Sequence, residues 1–241
     1  ELVIWALTAT LPLIMLALWS SVASEGPIAE LSQADLARYF AATLIVRQLT
    51  SVWLIWGFSY EVRTGGLSAW LLKPVNPLVY DVVEMLAAMP IRLLLLVPLV
   101  GAVVLWRPEL LALPEPTGLL LFVPAVAVSF ALHFTLQACF ALLSFWIDRA
   151  EGLWMVFFAA FAFLSGYVAP LALFPAWARP ALRYLPFRAM HGLPTELLAG
   201  QITPWEALPE LLAGVGWLGV ALAVAAGLWK VGLPRYGAFG G

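Results

Sequence analysis

The chain has 241 residues, of which 63% are hydrophobic and only 11% charged, with a net charge of −2. That is more apolar surface than one water-soluble core can hide, and a mean hydropathy of +0.97 points to a bilayer as the solvent. No basic face argues for nucleic acid, and the single Cys139, inside an apolar run, excludes a disulfide framework or a cysteine metal cluster.

A helix that crosses a bilayer needs roughly 20 apolar residues and satisfies its backbone internally. The apolar runs here are long rather than alternating, which selects helices over a barrel. The expected fold is an all-α membrane protein of six transmembrane helices, forming a single domain over 1–241.

The first span covers about 2–22. The chain starts at Glu1, already inside an apolar run and with no basic leader, so a preceding cytosolic segment is expected to be missing from this numbering. An acidic loop, 24–35, leads to the second span at about 38–59. This span carries Arg47 and Gln48 near its middle. A charge at that depth is costly and faces the bundle or a wet cavity. Arg47 is read either as a translocation-path or subunit-interface residue, or as a structural cation on helix carbonyls or a nearby acid.

Residues 60–80, YEVRTGGLSAWLLKPVNPLVY, form a polar island between two apolar runs. It holds Glu61, Arg63 and Lys73, the pair Gly65 and Gly66, a helix-like piece at 67–72, and Pro74 and Pro77. A plain connector needs none of this. The glycines turn the chain, the prolines stiffen the exit, and the short helix is presented at the membrane surface where a partner can push on it.

The third span covers about 79–106, with Arg92 expected to snorkel toward Asp81 and Glu84. A Pro-rich loop follows at 107–117. The fourth span, about 118–147, places His133 and Gln137 one turn apart on a shared face. They line a polar path or glue two helices together. After a charged turn at 148–151 the fifth span covers about 152–173. Residues 174–204 are amphipathic and broken by Pro175, Pro180, Pro186 and Pro194. With Trp177, Arg179, Arg183 and Arg188 they lie in the headgroups, cover a cavity mouth, or do both. The sixth span, about 207–228, carries a small-residue stripe, Gly219, Ala223 and Gly227, that lets another helix approach, from this chain or a second copy. Trp19, Trp106, Trp146, Trp205 and Trp229 sit at run ends as interfacial anchors.

Six spans put both termini on one side. Arg63, Lys73, Arg149, Lys230 and Arg235 on that side balance Arg38, Arg107, Arg179, Arg183 and Arg188 on the other, so the positive-inside rule does not choose. The sequence has no phosphate-binding loop, no zinc-protease motif, no nucleophile elbow and no paired carboxylates at mid-membrane. Broken helices in matching halves, a mark of gradient-driven carriers, are not legible either. Energy for any work is expected to come from a partner.

Three stretches, EVRTGGLSAWLLKPVNP, FLSGYVAPLALFPAWARPALRYLPFRAMHGLPTELLAGQ and KVGLPRYGAFGG, together resemble permease subunits of type-2 ABC exporters. The similarity is to the small six-span bacterial permeases that work with a separate ATPase, and it covers nearly the whole chain. The resemblance implies that 65–74 is a cytosolic coupling helix, with Glu61, Arg63, Gly65, Gly66, Leu67, Leu71, Lys73 and Pro74 as the ATPase-coupling set. It implies both termini in the cytosol and a multi-pass location in the bacterial plasma (inner) membrane. The segment after the fifth span becomes short extracellular re-entrant helices. The implied partners are two ABC ATPase subunits, a second permease, identical or paralogous, and membrane lipids. ATP and Mg would bind in the ATPase, with no cofactor in this chain. The implied function is non-catalytic: alternating access that exports a drug, lipid or other amphipathic molecule. The alternative is a membrane-embedded enzyme acting on lipid or isoprenoid substrates, with Asp81, Glu84 and Arg92 as its nearest candidate group.

Overall fold

A computed structural model describes residues 9–29, 31–106 and 115–236, which are helical and joined by turns, with one isolated bridge between Ile28 and Leu31. The start of the first expected span lies outside the described residues, as does most of the 107–117 loop. Helix α1 (Thr10–Val22) packs along α2 (Gln33–Thr50). The acidic loop ends in a capping box: the Ser32 hydroxyl accepts from Asp35 N, and the Asp35 carboxylate accepts from Ser32 N.

The expected second span is not continuous. Helix α2 stops at Thr50, Ser51 is extended with ψ 128, and α3 (Leu54–Thr64) restarts the helix. The hydroxyls of Thr50 and Ser51 bond back to Val46 O at 2.8 Å and Arg47 O at 2.6 Å. Adjacent hydroxyls occupying helix carbonyls in this way weaken the ladder where the chain leaves it.

After α3 comes the short α4 (Leu67–Leu71). Helix α5 (Pro77–Ala87) is started by Pro77 and by the Asn76 side chain, which accepts from Leu78 N at 2.9 Å. The third expected span divides at Ala88, where α5 gives way to α6 (Met89–Trp106). Helix α7 (Pro116–Leu142) continues into a tight turn, Leu143–Phe145.

Helix α8 (Ala150–Leu164) is shorter than the fifth expected span. The chain turns away because Gly166 takes φ +92, a left-handed conformation that continues no helix. At 15 residues α8 reaches about 22 Å, short of the ~30 Å hydrocarbon core. Residues 174–204 form α9 (Arg179–Arg183), a π-helical turn (Arg188–Gly192) and α10 (Leu193–Ala199). Helix α11 (Pro204–Tyr236) overruns its expected span at both ends.

Four helical stretches are long and apolar enough to cross a membrane: Gln33–Thr64, Pro77–Ala102, Pro116–Phe145 and Pro204–Tyr236. Thr10–Glu25 and Ala150–Leu164 are shorter apolar helices. Helix α7 is central, with α11 packed along its length and α2, α3, α8 and α10 around it. Close approach of α11 uses Gly214, where an added Cβ would lie 2.6 Å from that of Ala189, and Gly232, which lies against the Phe145 ring. Ala221 and Ala225 are buried on α11 as well. The stripe read from the sequence, Gly219, Ala223 and Gly227, faces outward, and an added Cβ at either glycine meets nothing within 4 Å. Leu94 is 72% exposed, Leu120 76% and Val220 54%, an apolar exterior that suits lipid rather than water.

Candidate functional site

The break in the second span is held open by side chains from two other helices. Gln137 on α7 donates through Nε2 to Val52 O at 2.7 Å and accepts at Oε1 from Ile55 N at 3.3 Å. Arg92 on α6 is 4% exposed and donates to Ser51 O at 2.9 Å. The expectation pointed Arg92 at Asp81 and Glu84; it turns instead to a carbonyl freed by the break. A non-helical backbone at membrane depth survives only where protein satisfies its polar groups, and Gln137 and Arg92 do so.

Beside the break lies a cavity of about 150 Å³ lined by Arg47, Trp53, His133, Gln137 and Phe158, among others. Arg47 is half-buried, with its guanidinium carbon 5.5 Å from the Tyr167 ring centre and 5.8 Å from that of Phe158. It forms no ion pair among the described residues, and its Nε is buried without a hydrogen-bond partner. Gln48, its neighbour, is buried. Ser129, His133 and Gln137 line one face of α7 at one-turn intervals. Ser129 Oγ donates to Met190 O in the π-helical turn, and His133 Nδ1 lies 3.1 Å from Ser129 O.

A second feature gathers at the end of the bundle near Tyr236. Gly65 caps α3 with φ 80, which no other residue adopts without strain. The Glu61 carboxylate lies over Gly66, in the space a side chain there would need. Leu67 is 1% exposed and seated with Phe58, Phe145 and Tyr236, a burial worth about 2 kcal/mol. Ser68 N donates to the Tyr236 hydroxyl at 3.0 Å, and the Ser68 hydroxyl shares a 3.0 Å bond with the same oxygen. Leu71 packs against the same cluster from a partly buried position. Arg63 reaches the start of α8, bonding Glu151 in its first turn at 2.5 Å and Asp148 O just before it at 3.0 Å. Lys73 folds back with Nζ 3.6 Å from the Trp70 ring centre, and Trp70 in turn packs on Tyr80 at 4.6 Å. Pro74 is exposed beyond it. The result is a short helix fixed at one side to α3, α7 and α11, with Ala69 and Leu72 turned outward.

At the opposite end, Arg188 is 2% exposed and forks onto Glu196, with both bonds at 2.6 Å, while its Nε donates to Glu210 Oε2 at 2.7 Å. Arg183 adds a 3.6 Å contact to Glu210. Burial alone would lower the Arg188 pKa, but Glu196 and Glu210 raise it above its ordinary value and keep the cation charged. This knot, with Tyr39 donating to Gly166 O at 2.8 Å and Trp19 to Val168 O at 3.0 Å, fastens the 165–200 segment to α2, α1 and α11.

The sequence singled out Arg47, Gln48, His133 and Gln137 as path or interface residues; the fold brings Arg47, His133 and Gln137 to one cavity, and Gln48 is buried outside its lining. The sequence reading missed the break itself, the Ser129 bond to the π-helical turn and the Arg188 knot. The adjacent hydroxyls of Thr50 and Ser51 inside an apolar run were the available signal for the break.

A family model described as ABC-2 family transporter protein matches residues 6–240. No curated protein and no solved structure matches the chain.

Proposed function

This chain belongs to the ABC-2 transporter family and is a permease subunit of an ABC transporter, and from that premise we propose that it is an exporter whose α4 couples an ATPase to the membrane bundle. In this reading six helices span the plasma membrane of a bacterium, with α1 and α8 as the two shorter ones, and both termini lie in the cytosol. Glu61, Arg63, Gly65, Gly66, Leu67, Leu71, Lys73 and Pro74 build the coupling element. Two ATPase subunits bind ATP and Mg and press on α4 of this chain and of a second permease, identical or paralogous. The 165–200 segment sits at the outer face.

The observation that carries the reading is the way α4 is fastened. A loop docked on a partner transmits force only if it is rigid against its own helices. Leu67 in the core and Ser68 on Tyr236 tie α4 to α3, the end of α7 and α11, and Arg63 on Glu151 ties α3, just before it, to α8. Motion applied there reaches α3, hence the broken span and the cavity beside Arg47, and alternating access needs two such arrangements of one bundle. The cargo in this reading is a drug, a lipid or another amphipathic molecule, matching a cavity with apolar walls and a few polar groups.

The test replaces 67–71 with a Gly/Ser linker and measures membrane insertion and ATP-driven transport in the assembled complex. Normal insertion with transport lost is the expected result; transport that survives rejects the coupling role.

A further inference from the structure

We propose that the cavity at the helix break binds the headgroup of an anionic amphiphile that also carries a hydroxyl proton, with a phosphomonoester on a single apolar chain as its simplest form. The inference deepens the permease reading by naming the chemistry its mid-membrane site recognises.

Arg47 supplies the cation. It lines the cavity without a carboxylate partner among the described residues and with Nε buried and unbonded. Phe158 flanks it through its ring and Tyr167 through its ring and hydroxyl, and these neutral groups position a guanidinium without neutralising it. A charge left in this condition inside a bilayer calls for an anion.

His133 supplies the second half. It is 2% exposed and lines the same cavity. Its Nδ1 meets Ser129 O, and a carbonyl only accepts, so Nδ1 carries the proton. Nε2 is then a bare acceptor, and it has no hydrogen-bond partner among the described residues. A carboxylate would answer Arg47 and leave Nε2 unpaired; an alcohol would do the reverse. A monoanionic phosphomonoester does both, with its charged oxygens on Arg47 and its P–OH donating to His133.

Size and access agree. About 150 Å³ takes a headgroup but no long chain. Met155 on α8 lines the same cavity and is 53% exposed, so an apolar tail leaves sideways along α8 into the lipid. Gln137 is already committed to Val52 O and Ile55 N, so Arg47 and His133 are the charged side chain and the imidazole that the cavity lining offers a ligand.

The experiment uses the permease alone in nanodiscs of zwitterionic lipid, without ATPase. Its failure therefore leaves the coupling reading standing, and the failure of coupling leaves this site standing. Lysophosphatidic acid with a brominated chain is added, and quenching of tryptophan fluorescence is read, because Trp53, Trp56 and Trp154 line the cavity. Brominated lysophosphatidylcholine is the control. The expected result is a preference of about tenfold for the phosphomonoester, as one lost charge-assisted contact would give. Arg47→Gln abolishes that preference, Arg47→Lys keeps part of it, and His133→Phe reduces it. Size-exclusion profiles check folding, and Arg47→Lys keeps the test decisive if Arg47→Gln does not fold. Equal quenching by the two lipids, or a preference unchanged in Arg47→Gln, overturns the proposal. Competition by two-chain phosphatidic acid in the disc identifies the source as bilayer lipid, and its failure to compete identifies a single-chain cargo; both support an anionic headgroup site.

Discussion

Gln137 and Val52, 85 residues apart in sequence, are joined by a 2.7 Å hydrogen bond that holds the break in the second span. One carboxamide closes both sides of the gap, since its oxygen also accepts from Ile55 N. The polar stripe of α7 thus keeps two half-helices in register and leaves room beside Arg47.

Gln137→Leu strands Val52 O and Ile55 N in a water-poor interior. We predict a loss of about 1–3 kcal/mol for each group left unpaired, seen as a lower melting temperature of the purified protein. Gln137→Glu, which as the neutral acid both donates to Val52 O and accepts from Ile55 N, should lose less. Equal melting temperatures for all three proteins would show that the break does not depend on this side chain.

For the Arg188 knot the sign depends on how it is removed. Arg188→Leu alone leaves Glu196 and Glu210 facing each other without their shared cation and should destabilise by about 3–5 kcal/mol. Replacing Arg188, Glu196 and Glu210 together by apolar residues should cost much less, because no buried charge remains. Thermal unfolding of the two variants in the same detergent compares them, and a triple variant less stable than the single one would contradict this account.

Two glycines separate packing from propensity. At Gly192 an added Cβ would lie 2.5 Å from Ser165 O and 2.8 Å from Arg188 Nη1, so Gly192→Ala should disrupt the π-helical turn and lower folded yield. At Gly216 on α11 nothing lies within 4 Å, and Gly216→Ala should be neutral or stabilising by up to about 1 kcal/mol. Equal yields would remove the close-approach argument.

Tyr236→Phe deletes the hydroxyl that receives Ser68 N and holds the Ser68 side chain. We predict normal insertion, because Leu67 stays buried, but a several-fold loss in transport per ATP hydrolysed as α4 loosens. The two rates, measured together in proteoliposomes, give the ratio; an unchanged ratio would mean that this tie plays no part in coupling.

Much of this was legible in the sequence. Composition made the chain a helical membrane protein, and the Gly-Gly, short-helix, Pro pattern of 60–80 located α4 almost to the residue, because left-handed glycines and helix-starting prolines act locally. Arg47, His133 and Gln137 stood out because polar groups are costly in lipid. The break at 51–53 was hidden: its backbone is satisfied by Gln137 and Arg92, which arrive from other helices, and no glycine or proline marks it. The small-residue stripe left its partner open for a similar reason. Helix α11 carries small residues on more than one face, and only the fold tells that Gly214 and Gly232 meet this chain while Gly219 and Gly227 face outward. Arg188, Glu196 and Glu210 lie on three separate elements and meet only where the 165–200 segment folds back on α11.

The central claim is that α4 is the surface gripped by the ATPase. Single cysteines are placed at Ala69, exposed on α4, and at Trp205, exposed at the opposite end, in a Cys139→Ser background. Each complex is isolated with its native ATPase and treated with a short thiol–amine crosslinker. The account predicts a permease–ATPase adduct from Ala69→Cys and none from Trp205→Cys; an adduct from Trp205→Cys with none from Ala69→Cys would contradict it.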